Sequence, residues 1–245
     1  MELWYAILLG VIQGFTEFLP VSSSGHLVIV QSILPGFTQP GALFDVVLHL
    51  GTLFAVLVFY YKDIINIKAK YLYLLVLATV PVVIIGFIFQ DYIEVLFVST
   101  KIVGFALIFT GIMNLLVDKF KTKKSTPTPK DSIIIGIAQA IAMIPGISRS
   151  ASTIFAGVGR EVKRKDAAKF SFLLSVPAIL GASILQFSTH LNGGDIHIGF
   201  YALGFISALV SGVLAIRLTI RTLQKRNFKY FAYYCFIIGM IAFLI

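Results

Sequence analysis

The residues best suited to chemistry lie in two short polar stretches of an otherwise apolar chain. The first contains Glu17, three consecutive serines at 22–24 and His26. The second contains the sequence Ser-Arg-Ser at 148–150, followed by Thr153. Ionisable side chains at membrane depth are costly, so they are rare and usually functional. Because a guanidinium beside hydroxyls is suited to phosphate, the two stretches predict a single phosphate-handling site built from both.

Helix-breaking residues divide each polar stretch. Gln13 and Glu17 are four residues apart, so they share a face of a helix. Pro20 ends that helix, because the residue before a proline is displaced from the α region. The serines that follow could cap a second helical piece, whose free N–H groups would suit a phosphate. Pro145 and Gly146 precede the second polar stretch in the same way, so each stretch is predicted to be helix, break and helix.

Composition places the chain in a bilayer. Of its 245 residues, 58% are hydrophobic and 13% are charged, whereas soluble domains average about 25% charged residues. Its apolar runs approach the roughly 20 residues that a helix needs to span a membrane. The net charge of +9 is carried by short clusters between these runs, which favours cytoplasmic loops beside anionic lipid over a nucleic-acid partner. The single cysteine, Cys235, excludes an intramolecular disulfide.

Loop charge predicts the orientation of the apolar runs. Four connections carry an excess of Lys and Arg, and the positive-inside rule places them in the cytoplasm, whereas 90–101 and 189–197 lack this excess and are placed outside. Both flanks of 132–158 are then cytoplasmic, so this segment must enter the membrane and return. The broken region 3–35 would re-enter from the outside. The basic connections are 62–70, 118–131, 160–169 and 217–229, and the predicted spans are Leu43–Tyr61, Tyr71–Phe89, Ile102–Val117, Phe170–Phe187, Ile198–Ile216 and Tyr230–Ile245.

The two broken regions also resemble each other. Four small or polar residues of the first recur 126 positions later in the second, and a lysine-rich linker at 119–130 separates the halves. We therefore expect one all-α polytopic membrane domain over 1–245, with halves of about 1–118 and 131–245. Six transmembrane helices and two re-entrant helix-loop-helix hairpins would form an inverted repeat with a polar site near the midplane. The matching residues are Gly10, Gln13, Ser22 and Ser24 with Gly136, Gln139, Ser148 and Ser150.

The remaining ionisable residues leave alternatives open. Asp45, the other acidic residue within an apolar run, lies one helical turn from His49. These two either support the site or form a structural pair. His190 and His197 lie in an outer connection and are expected to be solvated.

At its polar motifs the chain resembles the undecaprenyl-diphosphate phosphatase family, also called the bacitracin-resistance protein family. Members carry a Glu-or-Gln-x-x-x-Glu element, here Gln13 to Glu17, and a Pro-Val-Ser-Ser-x-Gly-His run, here 20–26. They also carry Pro-Gly-x-Ser-Arg-Ser-x-x-Thr, here 145–153, and 44–51 looks like a further family stretch. The resemblance covers the whole chain. It implies a metal-dependent membrane phosphatase that removes the terminal phosphate of a polyprenyl diphosphate, with an outward-facing site and an inverted-repeat fold.

We expect each residue of the two polar stretches to have one of the following roles. Glu17, helped by Gln13, either binds Mg²⁺ or Ca²⁺ or acts as general base. His26 activates the nucleophile or protonates the leaving oxygen, and the nucleophile is Ser23 or a water molecule. Arg149 stabilises the developing charge. The groups expected to bind the diphosphate are Ser22, Ser24, Ser148, Arg149, Ser150 and Thr153.

Two other functions compete with the phosphatase. One is a transporter or flippase of a polyprenyl phosphate, which would use the same phosphate pocket. The other is a structural membrane protein in which Glu17 and Arg149 form only a buried ion pair. The expected partners are a polyprenyl diphosphate of undecaprenyl or dolichyl type and the bilayer, with a homodimer left open. The expected location is the cell membrane.

Overall fold

The chain is an all-α membrane protein. The computed structural model describes residues 3–34, 42–96, 99–189 and 198–244, and in these ranges it contains no strand beyond one isolated bridge between Lys124 and Val162. The helices in the described ranges are α1 (Leu3–Phe18), α2 (Ser23–Ile33), α3 (Ala42–Phe59), α4 (Tyr61–Ile65), α5 (Ala69–Leu96), α6 (Thr100–Val117), α7 (Pro129–Ile141), α8 (Arg149–Gly159), α9 (Arg164–Thr189), α10 (Ile198–Gln224) and α11 (Lys229–Ile241).

Four helices are long and apolar enough to cross a membrane, judged by length and composition. They are Ala69–Phe89, Thr100–Val117, Arg164–Ile184 and Ile198–Gln224. The other two predicted spans are shorter helices, since α3 ends at Phe59 and α11 ends at Ile241. At 1.5 Å per residue, the 13 residues of α11 extend only about 20 Å. The outer connection with His190 and His197 lies outside the described residues.

Both predicted helix breaks are confirmed. The first falls between α1 and α2, after Phe18 and around Pro20. There Ser22 adopts a φ of 72°, which is costly for a residue with a Cβ atom. The second falls between α7 and α8, where Gly146 adopts a φ of 93°. The two breaks touch, because a Cβ atom on Gly25 would lie 3.2 Å from Gly146 Cα.

Small residues let the helices around the breaks approach closely, as is usual between membrane helices. A Cβ atom on Gly10 of α1 would lie 2.5 Å from the Gly204 carbonyl oxygen of α10. A Cβ atom on Gly136 of α7 would lie 2.3 Å from the Ala78 carbonyl oxygen of α5. The helix before each break is therefore fixed against a long apolar helix.

The predicted linker at 119–130 is an ordered part of the fold. Thr128 and Asp131 form a capping box at the start of α7. The buried Asp131 carboxylate accepts bonds from Arg160 Nε at 2.8 Å and Lys124 Nζ at 2.9 Å. Burial alone would raise the pKa of Asp131, but these bonds and that from the Thr128 N–H hold the pKa well below its usual range. The linker is thereby bound to the end of α8.

Candidate active site

An ion pair between Glu17 and Arg149 joins the two broken segments. Arg149 Nη2 lies 2.7 Å from Glu17 Oε1, and the two side chains are only 16% and 7% exposed. Arg149 begins α8, where Ser148 caps the helix, and Glu17 lies in the last turn of α1. Arg149 Nη1 also donates to the Ser171 carbonyl oxygen at 3.0 Å. The predicted contact between the carboxylate of the first polar stretch and the guanidinium of the second is therefore confirmed.

The second oxygen of the Glu17 carboxylate faces a hydroxyl. Ser23 Oγ donates to Glu17 Oε2 at 2.6 Å, and Gln13 Nε2 donates to the same oxygen at 3.2 Å. Gln13 and Glu17 share a face of α1, as their spacing predicts. Gln13 Oε1, in contrast, is buried without a hydrogen-bond partner. The carboxylate thus contacts a cation through one oxygen and a potential nucleophile through the other.

His26 lies beside this cluster and bonds elsewhere. Its Nδ1 is 2.7 Å from the Ser22 carbonyl oxygen, and its Nε2 is 2.8 Å from the Tyr234 hydroxyl. A carbonyl only accepts, so Nδ1 carries the proton and the neutral ring's Nε2 accepts from Tyr234. Among the described residues, the hydroxyl closest to Glu17 is that of Ser23, and the structure records no bond from His26 to either.

Some of the predicted phosphate-binding hydroxyls bond groups of their own broken segment, and others also bond another part of the chain. Ser22 and Ser148 are helix N-caps that accept from the N–H groups of Gly25 and Ala151. Each also bonds the serine two positions later: Ser24 at 3.3 Å and Ser150 at 3.1 Å. Ser150 Oγ additionally donates to the Leu19 carbonyl oxygen, across to the first broken segment. Thr153 bonds Ser171 Oγ at 2.6 Å and the Arg149 carbonyl oxygen at 2.8 Å. Ser23 and Ser24 are half-buried, whereas Ser22, Ser148, Ser150 and Thr153 are buried.

Two polar side chains of α6, which were not among the predicted site residues, bond the backbone at both helix breaks. Asn114 Nδ2 donates to the Pro20 carbonyl oxygen at 2.7 Å. Thr110 Oγ1 donates to the Gly146 carbonyl oxygen and accepts from the Ser148 N–H, each at 3.0 Å. Irregular backbone inside a membrane protein needs such partners. Their signal was present in the sequence as two polar residues, four apart, within the apolar run 102–117.

The His49 ring lies beside Glu17, whereas the Asp45 carboxylate bonds Gln31. His49 Nε2 lies 4.0 Å from Glu17 Oε2, and the side chain is 33% exposed. Its Nδ1 bonds the Asp45 backbone carbonyl oxygen at 2.8 Å. The Asp45 carboxylate accepts from Gln31 Nε2 at 3.3 Å. Of the two alternatives for these residues, the geometry favours a His49 that faces the site.

The described residues contain no group of three or more His, Cys, Asp or Glu side chains that could hold a metal ion. The two predicted ligands, Glu17 and Gln13, do lie together. Mg²⁺ is commonly bound through one or two carboxylates with substrate phosphates and water. The buried Gln13 Oε1 has no hydrogen-bond partner and could serve as a ligand, whereas both Glu17 oxygens are bonded to Ser23 and Arg149.

Comparison of the sequence with those of known proteins assigns the chain to a family. The sequence model of the family described as "Bacitracin resistance protein BacA" matches residues 6–241. The chain is 40% identical over 261 residues to the undecaprenyl-diphosphatase of Syntrophotalea carbinolica, covering 100% of this chain and 99% of the relative. It is 42% identical over 250 residues to that of Thermodesulfovibrio yellowstonii, covering 100% and 97%. It is 38% identical over 272 residues to that of Methanobrevibacter smithii, covering 100% and 98%.

Proposed function

Since this chain belongs to the bacitracin resistance protein BacA family, we propose that it is a membrane undecaprenyl-diphosphatase. It hydrolyses the terminal phosphate of undecaprenyl diphosphate and returns undecaprenyl phosphate, the lipid carrier, for a further round of cell-envelope assembly. The relatives named above are all called undecaprenyl-diphosphatase, and none of them supports the transporter alternative. The dolichyl-type substrate is not favoured by any of these names either.

One observation carries the mechanism: the Glu17 carboxylate bonds Ser23 through one oxygen and Arg149 through the other. A hydroxyl within hydrogen-bond reach of a base is the arrangement of an activated nucleophile. A guanidinium at the same point is placed to bind the non-bridging oxygens of a phosphate and to stabilise their charge. The geometry therefore supports Ser23 over water as the nucleophile and Glu17 as its general base.

The reaction then proceeds in two displacements. Ser23 Oγ attacks the terminal phosphorus while its proton passes to Glu17. The bond from phosphorus to the bridging oxygen breaks, and undecaprenyl phosphate leaves with the proton that Glu17 received. A water molecule next attacks the phosphorus of the phosphoserine while Glu17 accepts a proton from it. The bond from phosphorus to Ser23 Oγ breaks, Glu17 returns the proton to Oγ, and inorganic phosphate is released. Arg149 stabilises the phosphoryl oxygens in both steps, and the helix N-terminus capped by Ser148 supplies free N–H groups beside it.

A divalent cation is part of this proposal. Gln13 Oε1 would hold it together with the diphosphate, because both Glu17 oxygens are bonded to Ser23 and Arg149. When bound, it supplies positive charge that polarises the phosphoryl group. Gln13 orients Glu17 through Nε2, which leaves its own Oε1 available.

The expected topology is also proposed here. Six crossings with two re-entrant hairpins, α1–α2 and α7–α8, would place the breaks near the midplane. The outward opening is supported by three half-buried polar residues, His49, Asp45 and Gln31, which lead from Glu17 towards the start of α3. Loop charge places that start outside. The cell membrane is accordingly the expected location.

Purified protein in detergent tests the activity, because transport cannot be scored there. We expect free phosphate from undecaprenyl diphosphate, and binding without release would contradict the enzyme. Replacing Ser23 by alanine should lower the rate on the order of 10³-fold or more. Ser32→Ala is the matched control, since Ser32 is exposed on the same helix. A rate for Ser23→Ala close to that of the control would instead make water the nucleophile.

A further inference from the structure

A chain of hydrogen bonds leads from Tyr234 to the serine turn at 22–24. The Tyr234 hydroxyl donates to His26 Nε2 at 2.8 Å, and His26 Nδ1–H donates to the Ser22 carbonyl oxygen at 2.7 Å. The planes of the two rings are parallel within 3°, and their centroids are 5.5 Å apart. Ser23, the next residue, donates to Glu17. The hydroxyl of a tyrosine on the last helix is therefore two hydrogen bonds from the backbone that presents Ser23.

The turn at Ser22–Ser24 needs hydrogen bonds that hold its backbone in place. Ser22 has a φ of 72°, a conformation that L residues rarely adopt and that persists only where the surroundings enforce it. The His26 bond to the Ser22 carbonyl oxygen acts at this residue. A rotation at Ser22 would move Ser23 Oγ away from the Glu17 carboxylate. The orientation of the His26 ring therefore affects the position of the nucleophile.

Tyr234 sets that ring orientation from the edge of the protein. The residue is 41% exposed, and Tyr230 and Ile237 on the same helix are also exposed, so the described residues leave this face of α11 uncovered. His26 itself is buried. A buried imidazole nitrogen needs a partner, and the Tyr234 hydroxyl provides one without adding a charge.

We propose that Tyr234 is a positioning residue that, acting through His26, holds the Ser22–Ser24 turn and thereby places Ser23 for attack. This inference rests on the proposed diphosphatase activity. Tyr234 does not touch the substrate in this scheme. It keeps His26 Nδ1–H directed at the Ser22 carbonyl oxygen by bonding the opposite nitrogen.

Tyr234→Phe tests the proposal, because it removes only the hydroxyl. We expect kcat for undecaprenyl diphosphate to fall roughly 5- to 30-fold, with KM nearly unchanged, as one positioning hydrogen bond is lost. The matched control is Tyr233→Phe on the neighbouring residue, which is 53% exposed and should behave like the unmodified protein. In a His26→Ala background, Tyr234→Phe should have no further effect on kcat, since both residues act through one chain. Equal kcat for the two tyrosine variants, or an undiminished effect beside His26→Ala, would overturn the proposal.

A second readout does not depend on activity. Diethyl pyrocarbonate acylates an unprotonated imidazole nitrogen, and mass spectrometry can follow His26 against the partly exposed His49 of the same molecule. His26 should react slowly in the unmodified protein and in Tyr233→Phe, and roughly fivefold faster in Tyr234→Phe, where Nε2 has lost its donor. Unchanged reactivity of His26 refutes the chain of bonds. If no protein releases phosphate, the proposed function fails, while these reaction rates still decide the role of Tyr234.

Discussion

Replacing Glu17 by glutamine separates the two roles of the buried ion pair. Glutamine has almost the same shape as glutamate, so Gln13 and Ser23 keep a neighbour of similar size. It cannot accept the proton of Ser23, however, and it leaves the guanidinium of Arg149 without a counter-charge. We therefore expect loss of both phosphate release and stability.

The structure sets both magnitudes. A positioned general base contributes about 10²–10⁴-fold to a rate, so phosphate release should fall by about that factor. Removing one partner of a fully buried ion pair costs about 3–5 kcal/mol. Because Arg149 is 16% exposed and keeps its bond to the Ser171 carbonyl oxygen, the loss here should be somewhat smaller, about 2–4 kcal/mol.

A double variant then distinguishes an active site from a merely structural pair. Glu17→Gln with Arg149→Met removes the unpaired charge, so stability should return to within about 1 kcal/mol of the original protein, while phosphate release stays at or below that of Glu17→Gln. Thermal aggregation in detergent and a colorimetric phosphate assay measure the two quantities. Glu161→Gln, at an exposed pair with Lys123, is the control and should change neither. Recovery of turnover along with stability would refute the catalytic assignment.

Three further substitutions test the supports of the site. Gly146→Ala places a methyl group at a φ of 93° and 2.6 Å from a carbonyl oxygen of α6, so stability in thermal unfolding should fall by about 1–3 kcal/mol. Asn114→Leu leaves the Pro20 carbonyl oxygen only the weak thiol donor of Cys235 at 3.7 Å and should cost about 1–3 kcal/mol, with a lower kcat. Asp131→Asn removes the partner of Arg160 and should cost about 1–3 kcal/mol at pH 7. Since the pKa of Asp131 is lowered in the folded protein, its contribution is complete above the unfolded value of about 3.9 and is lost as the pH falls below it. Melting curves of both proteins should therefore converge in acid, and a constant difference would contradict the assigned pKa.

The parts of the site that depend on local chemistry could be predicted from the sequence. Pro20 and the Pro145-Gly146 pair mark the two helix breaks, because each stands beside serines that can cap a new helix. Proline alone is not sufficient, since Pro81 and Pro177 lie inside α5 and α9. The contact of Glu17 with Arg149 was also predicted, since a carboxylate and a guanidinium in apolar segments each need a counter-charge. Element ends were less accurate: the last predicted span extends to 245, whereas α11 ends at Ile241.

Long-range partners could not be predicted in the same way. Asn114 and Thr110 were not predicted, because uncharged side chains do not stand out in an apolar run as ionisable ones do. Their amide and hydroxyl nonetheless provide the hydrogen bonds that the backbone at each helix break lacks. Tyr234 gives no local signal, because it bonds a residue 208 positions away and tyrosines are common on membrane helices. The direction in which His49 points depends on how α3 packs, which helical spacing to Asp45 leaves open.

The ion pair also has a consequence for how the molecule is made. Glu17 precedes the linker at 119–130, whereas Arg149 and the Ser171 carbonyl oxygen follow it. A ribosome therefore delivers the acid long before its counter-charge. During that interval the carboxylate must remain hydrated, protonated or shielded by other means. If the proposed mechanism holds, a nascent chain without Arg149 has no turnover, and we expect activity only after α8 and α9 have docked against α1.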